Sequence, residues 1–335
     1  MRKRIVICAD GTWNRPEEDP SEDTPTNVLR LARAIKPVDG REQVQQVFYD
    51  WGIGADHDRW IGGLTGRGLN KNIMDSSRYI VQNYSPGSEL FLFGFSRGAY
   101  TIRCLCGLSY NCGIVKRPDA ALIQEAFDRY RRRGALHHPS GESSAAFRAE
   151  YSHPSREIAF VGVWDTVGAR GIPYRFLGLF DDRDEFHNAK IGPNVRVARH
   201  ALAIDQHRID FEPTIWEPQP NMDMEQVWFS GAHADVGGGY GEDGNGNLLS
   251  DIPLDWLVRK ASKAGLKLEP HLRAKLDPVP TAHLHRSRRS FYRLKEKYDR
   301  PIDHGRGDVL IHRSVKRRWI SLGSGYRPPN LRTYL

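Results

Sequence analysis

The sequence predicts an α/β fold: a mostly parallel central sheet flanked by helices. Short apolar runs of strand length alternate with segments of helical period. One of those runs, residues 89–95, passes through Ser96 straight into a helical pattern. At 335 residues the chain buries a sizeable core, and it shows no convincing linker, so the reading is one domain over residues 1–335.

The first strand is residues 4–9, closed by the turn Asp10-Gly11-Thr12-Trp13-Asn14. A polar, acidic stretch then leads to a helix over 26–35, where Val28, Leu29, Leu31, Ala32 and Ile35 form one apolar stripe. The second strand is 45–49, followed by a glycine-rich loop and a helix over 70–84. The third strand, 89–95, feeds a helix reaching about residue 111, with Gly113 placed to end it. A polar helix over 120–133 and a Ser/His/Gly-rich stretch precede the fourth strand, 158–164. Residues 170–220 read as an insertion between the fourth and fifth strands, irregular but for one helix around 195–205. Its Tyr174, Phe176, Leu177, Leu179 and Phe180 suit a lid or an acyl-binding wall, and equally the ordinary packing of an insertion. The fifth strand is 226–230, a helix follows over 253–264, and a sixth strand falls at 308–311 in a basic last quarter.

Composition excludes several classes. Hydrophobic residues at 39% and charged residues at 27% are globular values, not those of a disordered chain or a collagen. No apolar run approaches the ~18–20 residues of a membrane span. The basic start, Arg2-Lys3-Arg4, meets Asp10 too early for a secretory leader, so the chain reads as soluble and cytoplasmic. Cys8, Cys104, Cys106 and Cys112 read as buried thiols of a reducing compartment; no spacing suits a zinc site, and no metal is expected. The net charge of +8 concentrates at 2–4, 129–133, 286–289 and 316–318. Such runs are ordinarily solvated faces, and otherwise suit an anionic membrane surface; without a finger or an RNP-type motif, nucleic acid is not expected.

Gly94-Phe95-Ser96-Arg97-Gly98 fits G-x-S-x-G, and its setting between a strand and a helix is that of a nucleophile elbow. A serine hydroxyl needs a histidine base, itself oriented by a carboxylate. In the α/β-hydrolase plan the order is serine, acid, histidine, with the acid usually after the second strand beyond the elbow. Two sets compete: Ser96–Asp235–His312 and Ser96–Asp165–His233. Strand ordinals favour the first. The oxyanion hole is expected from the backbone N–H of Arg97 and from Thr12 in the turn after the first strand, where Gly11 allows close approach. Asp10 in that turn reads either as part of the site or as a residue capping its own loop.

Five blocks together resemble a known family. They are Asp10-Gly11-Thr12-Trp13-Asn14, Gly94-Phe95-Ser96-Arg97-Gly98-Ala99, Val163-Trp164-Asp165-Thr166-Val167-Gly168, His233-Ala234-Asp235-Val236-Gly237-Gly238 and Ile311-His312-Arg313-Ser314-Val315. In this order they are similar to the α/β-hydrolase catalytic domain of type VI secretion phospholipase effectors. The resemblance implies a serine lipase or phospholipase acting on acyl esters without a cofactor. It assigns Ser96, Asp235 and His312 to the triad and leaves export by a dedicated secretion system open. Two readings from other classes stand beside it. One is a phosphate- or nucleotide-binding protein using the loop 62–68, which lacks the G-x-x-x-x-G-K-[ST] spacing. The other is a catalytically inactive membrane-surface module.

Overall fold

The computed structural model describes residues 3–11, 23–52, 66–132, 134–167, 191–288, 295–305, 307–322 and 325–335. β1 (Arg4–Ala9) is buried along its whole length, as a central parallel strand covered on both faces must be. α1 (Asn27–Ala34) opens at Thr26, whose hydroxyl accepts from the Leu29 N–H, and leads to β2 (Gln45–Asp50). α2 (Gly66–Asn83), β3 (Glu89–Phe95) and α3 (Arg97–Cys112) follow. Next come α4 (Ala120–Arg131), α5 (Glu142–Tyr151) and β4 (Phe160–Trp164). β5 (Val197–Ala203), β6 (Asp223–Phe229) and the short α6 (His233–Gly237) lead to α7 (Asp251–Lys263). α8 (Pro270–Lys275), β7 (Leu310–Ile311) and α9 (Arg313–Leu322) complete the described elements.

Among the described residues seven strands form one sheet, in the order β2-β1-β3-β4-β5-β6-β7, and every adjacent pair is parallel. Alternate side chains of β1 and β3 point to opposite layers. Ile5, Ile7, Leu90 and Leu92 pack with Ile73, Ile102 and Phe147 of α2, α3 and α5. Val6, Cys8, Phe91 and Phe93 pack with Leu31 of α1 and with Leu254 and Leu257 of α7. Each such side chain, taken fully out of water, contributes ~1.5–3 kcal/mol. The four cysteines are free and buried, as their placement in apolar runs implies.

β2 and β3 flank β1, so the chain reverses its direction of travel at the β1/β3 junction. Ligand crevices of open α/β sheets form at the carboxyl ends of the strands beside such a switch point. Asp10 leaves β1 there and Ser96 leaves β3.

One element differs in type from the sequence reading. Residues 197–203, expected within a helix around 195–205, form β5, hydrogen-bonded between β4 and β6. Three alanines give this stretch helical propensity, and pairing on both edges overrides it. The insertion is thereby shorter. Residues 168–190, which hold the aromatic cluster proposed as a lid, lie outside the described residues.

Candidate active site

Ser96 sits between the end of β3 and the start of α3 with φ 57° and ψ −120°. A non-glycine residue in that region is strained by roughly 1–3 kcal/mol, and the strain persists only where the surroundings enforce it. They do so here by close packing. A Cβ on Gly98 would fall 2.0 Å from the Ala9 carbonyl oxygen, and one on Gly94 would fall 2.7 Å from the Ala99 backbone. The glycines of G-x-S-x-G therefore let α3 press onto the end of β1. The Ser96 N–H donates to the Trp164 carbonyl at 3.1 Å, tying the elbow to the end of β4.

Asp165 follows β4 immediately and is also strained, at φ 39°. Its Oδ2 lies 2.6 Å from Nδ1 of His233, the first residue of α6. The Arg300 guanidinium grips the same carboxylate in a fork, Nη1 to Oδ1 at 2.7 Å and Nη2 to Oδ2 at 3.1 Å. The Ala203 N–H, at the end of β5, donates to Oδ1 at 3.0 Å. Both charged side chains are fully buried, at 0% exposure each. Burial alone pushes the Asp165 carboxyl up, but Arg300 and His233 outweigh it and hold it well below the usual carboxylate range. Burial pushes the His233 imidazole down, with Asp165 opposing, so the ring is neutral at pH 7 and suited to accept a proton.

Aromatic rings hold His233 beside the elbow. The Phe95 ring, one residue before Ser96, lies 4.6 Å from the imidazole, and the Phe211 ring meets it edge-on at 4.9 Å. Gly237 permits this: a Cβ there would fall 2.0 Å from the Phe95 ring. Arg300 Nη2 also donates to the Phe211 carbonyl, so one cation fixes both the Asp165 carboxylate and an aromatic neighbour of His233.

Asp235 and His312 sit in separate hydrogen-bonded sets. The Asp235 carboxylate accepts from the Ala232 N–H at 2.9 Å and the His285 N–H at 3.0 Å, and it meets His285 Nδ1 at 2.7 Å. His312 follows β7 and stacks on Phe229 at 4.7 Å. Its Nδ1 lies 2.8 Å from the Ser314 hydroxyl and accepts the Ser314 N–H at 3.3 Å, which caps α9. Burial pushes its pKa down to about 4. The structure thus brings together Asp165 and His233, and it does not join Asp235 to His312. Sequence reading missed Arg300 and His285 as partners, because a salt bridge across 135 residues leaves no local pattern.

Asp10 ties down its own turn. It accepts from the Gly11 N–H at 2.7 Å, from Tyr49 at 2.9 Å and from the Thr26 hydroxyl. Thr12 lies outside the described residues, as do residues 62–65 of the glycine-rich loop. Arg97 opens α3, and burial holds its guanidinium down to about 10, still cationic at pH 7. Arg129, in one of the basic runs, is paired with Glu125 at 2.8 Å. Among the described residues no helix is long and apolar enough to cross a membrane.

Residues 3–260 match the family model of the type VI secretion system (T6SS) phospholipase effector Tle1-like catalytic domain. The chain belongs to that family. Ser96, Asp165 and His233 fall within the matched residues, whereas His312 and Arg300 lie beyond them. An uncharacterized protein, YEL023C, of Saccharomyces cerevisiae is 24% identical over 240 residues, 65% of this chain and 33% of that protein. Among solved structures, an uncharacterized protein from Pseudomonas aeruginosa gives a TM-score of 0.46 at 16% identity, over 82% of this chain and 49% of that one. A Tle1 effector bound to the VgrG spike of a type VI secretion system gives 0.41 at 19% identity, over 72% and 52%. The Tle1-like chain described here therefore spans between a third and about half the length of these relatives.

Proposed function

We propose that the chain is a serine hydrolase of phospholipid acyl esters, with Ser96 as nucleophile, His233 as base and Asp165 as acid. Membership of a phospholipase effector family supports the reaction class. The observation that supports this choice of residues is the 2.6 Å contact between Asp165 and His233 beside the strained elbow.

Ser96 Oγ attacks the acyl carbonyl carbon while His233 Nε2 takes its proton. Asp165 holds the Nδ1–H tautomer and stabilises the imidazolium that forms. The developing oxyanion meets the Arg97 backbone N–H at the start of α3, where the helix dipole also favours negative charge. A second donor from the turn after β1 is proposed at Thr12. The imidazolium then protonates the leaving alcohol, and water, deprotonated by His233, releases the fatty acid from Ser96. No cofactor enters this sequence. The effector family supports export by a type VI secretion system as the route to the substrate.

Labelling with a fluorophosphonate and release of fatty acid from phospholipid vesicles test the reading together. Ser96→Ala, Asp165→Asn and His233→Ala should each lose at least ~10³-fold in activity while folding normally. Asp235→Asn and His312→Ala should lose far less. Collapse of activity in the latter pair, with Asp165→Asn and His233→Ala near wild type, would return the triad to Asp235 and His312.

A further inference from the structure

In the register of β4 and β5 Trp164 lies opposite Ala201, and the Asp165 N–H still donates to the Ala201 carbonyl at 2.8 Å. A parallel ladder continued by one residue would give the Ala203 N–H to the Asp165 carbonyl. That N–H goes instead to the Asp165 carboxylate, at 3.0 Å, where the backbone turns away at φ 39°. The side chain thus takes the place of its own main chain at the edge of β5. The strain of such a turn persists only where neighbours hold the backbone that has left the ladder.

His200 of β5 is one such neighbour. Its Nε2 accepts the Thr166 N–H, the first beyond Asp165, at 3.3 Å, and the residue is fully buried. The Gln226 amide fixes the tautomer. Gln226 Nε2 donates to the Trp216 carbonyl at 2.9 Å and Oε1 accepts the Trp216 N–H at 2.8 Å, so one backbone residue orients the whole amide. The same Oε1 faces His200 Nδ1 at 3.4 Å. A neutral imidazole has one donor and one acceptor nitrogen, so Nδ1–H points to Gln226 and the Nε2 lone pair to Thr166. Burial keeps the ring neutral at pH 7 by pushing its pKa down to about 3.

The contacts around His200 extend to the elbow helix. Arg103 of α3, which opens right after Ser96, donates to the Thr214 carbonyl at 2.6 Å. The Thr214 N–H donates in turn to the Thr166 carbonyl at 3.2 Å, and the Trp216 ring lies 5.0 Å from the His200 ring. Both backbone polar groups of Thr166 are therefore held, the N–H by β5 and the carbonyl by a segment pinned to α3. We propose that His200, set in its Nδ1–H tautomer by Gln226, is a positioning residue that fixes the turn presenting Asp165 to His233. This rests on the Ser96–Asp165–His233 reading and deepens it.

Two measurements test the proposal. The first is a long-range proton–nitrogen spectrum of histidine-labelled wild-type protein at pH 7, with His200 assigned by the signals that His200→Gln removes. It should show His200 neutral and protonated at Nδ1; protonation at Nε2, or at both nitrogens, would overturn the proposal. The second is turnover of p-nitrophenyl butyrate by His200→Gln, whose side-chain oxygen can replace Nε2 as acceptor, and by His200→Leu, which offers none. In folded protein His200→Leu should lower kcat ~10–10²-fold with KM nearly unchanged, the mark of a group that aligns reacting side chains without binding substrate. His200→Gln should recover most of that loss. A purely structural role would lower the urea midpoint and leave the kcat of folded protein alone. Wild-type kcat in folded His200→Leu would overturn the proposal. So would a folded His200→Gln protein with kcat far below wild type, which decides the matter together with the spectrum if His200→Leu does not fold. Wild-type protein that takes no fluorophosphonate at Ser96 would sink the triad reading itself, while the spectrum still reports on His200, so the two fail separately.

Discussion

Arg300→Met is the most discriminating single change, because it removes a charge while keeping most of the volume of the arm. Arg300 and Asp165 are both at 0% exposure, with contacts at 2.7 and 3.1 Å. Deleting one partner of such a pair leaves a buried carboxylate uncompensated and costs ~3–5 kcal/mol of stability. The effect on chemistry has a definite sign. Burial raises the Asp165 carboxyl and Arg300 opposes it; Arg300 also disfavours a proton on His233. Without the guanidinium, the Asp165–His233 pair takes up a proton at higher pH, whichever member holds it. Two unit charges about 4 Å apart at an effective dielectric of ~20 interact by ~4 kcal/mol, an upper bound of ~3 pKa units at 1.36 kcal/mol each. Allowing for relaxation, the acid limb of kcat/KM should move up by ~1–2 units. The stability gap from wild type should narrow on acidification. Wild type loses the Asp165 contribution as the pH falls below the ordinary carboxylate range, while the variant relieves its buried charge by protonation. The assay is hydrolysis of p-nitrophenyl butyrate against pH, with urea unfolding in parallel. Arg300→Lys keeps the charge and loses the fork, so it should retain the wild-type limb at reduced stability. A folded Arg300→Met protein with an unshifted acid limb would refute the electrostatic link between Arg300 and the reacting pair.

Gly98→Ala should destabilise the protein by ~1–3 kcal/mol and depress activity, because its Cβ meets the Ala9 carbonyl oxygen at 2.0 Å; urea midpoints and ester turnover check this. Burial pushes the Asp205 carboxyl up from 3.8 to about 6, so the native state binds its proton more tightly than the unfolded chain, and wild-type stability falls as the pH rises through that window. Asp205→Asn should gain on wild type between those pH values and hold a constant difference above them, as measured by urea unfolding at several pH values. All four thiols are buried, and burial pushes Cys112 up to about 12, so a disulfide exchange reagent should find them unreactive until the protein is denatured.

Those elements whose sequence carries both pattern and punctuation were legible from the chain alone. β1 and β3 are apolar on both faces and end in turn residues, and the strand–serine–helix junction at Ser96 follows from residues that sit side by side. The proposed acid and base were harder to read, because the choice between candidates depended on counting strands. β5 offers alanines, an arginine and a histidine where a strand was to be recognised. Its Arg199 is tied to Asp223 at 2.7 Å, and burial holds His200 neutral by pushing it down to about 3. Those are tertiary arrangements that periodicity does not reveal. With β5 missed, Asp235 seemed to follow the second strand beyond the elbow; it follows the third. Counting β5 would have pointed instead to Asp205, whose carboxylate is engaged by Gly231 and Tyr326. Ordinal position therefore selects neither acid. What separates Asp165 from both is a strained backbone at the end of the strand beside the elbow, a histidine at 2.6 Å, and a buried arginine from far along the chain that keeps the carboxylate ionised. The pairing of Asp165 with His233 was available from the sequence as an alternative, in the right order, but the backbone strain was not. The third was not, because Arg300 belongs to a basic stretch with no periodicity, and it reaches Asp165 only once the last quarter of the chain has folded back over β5 and β6.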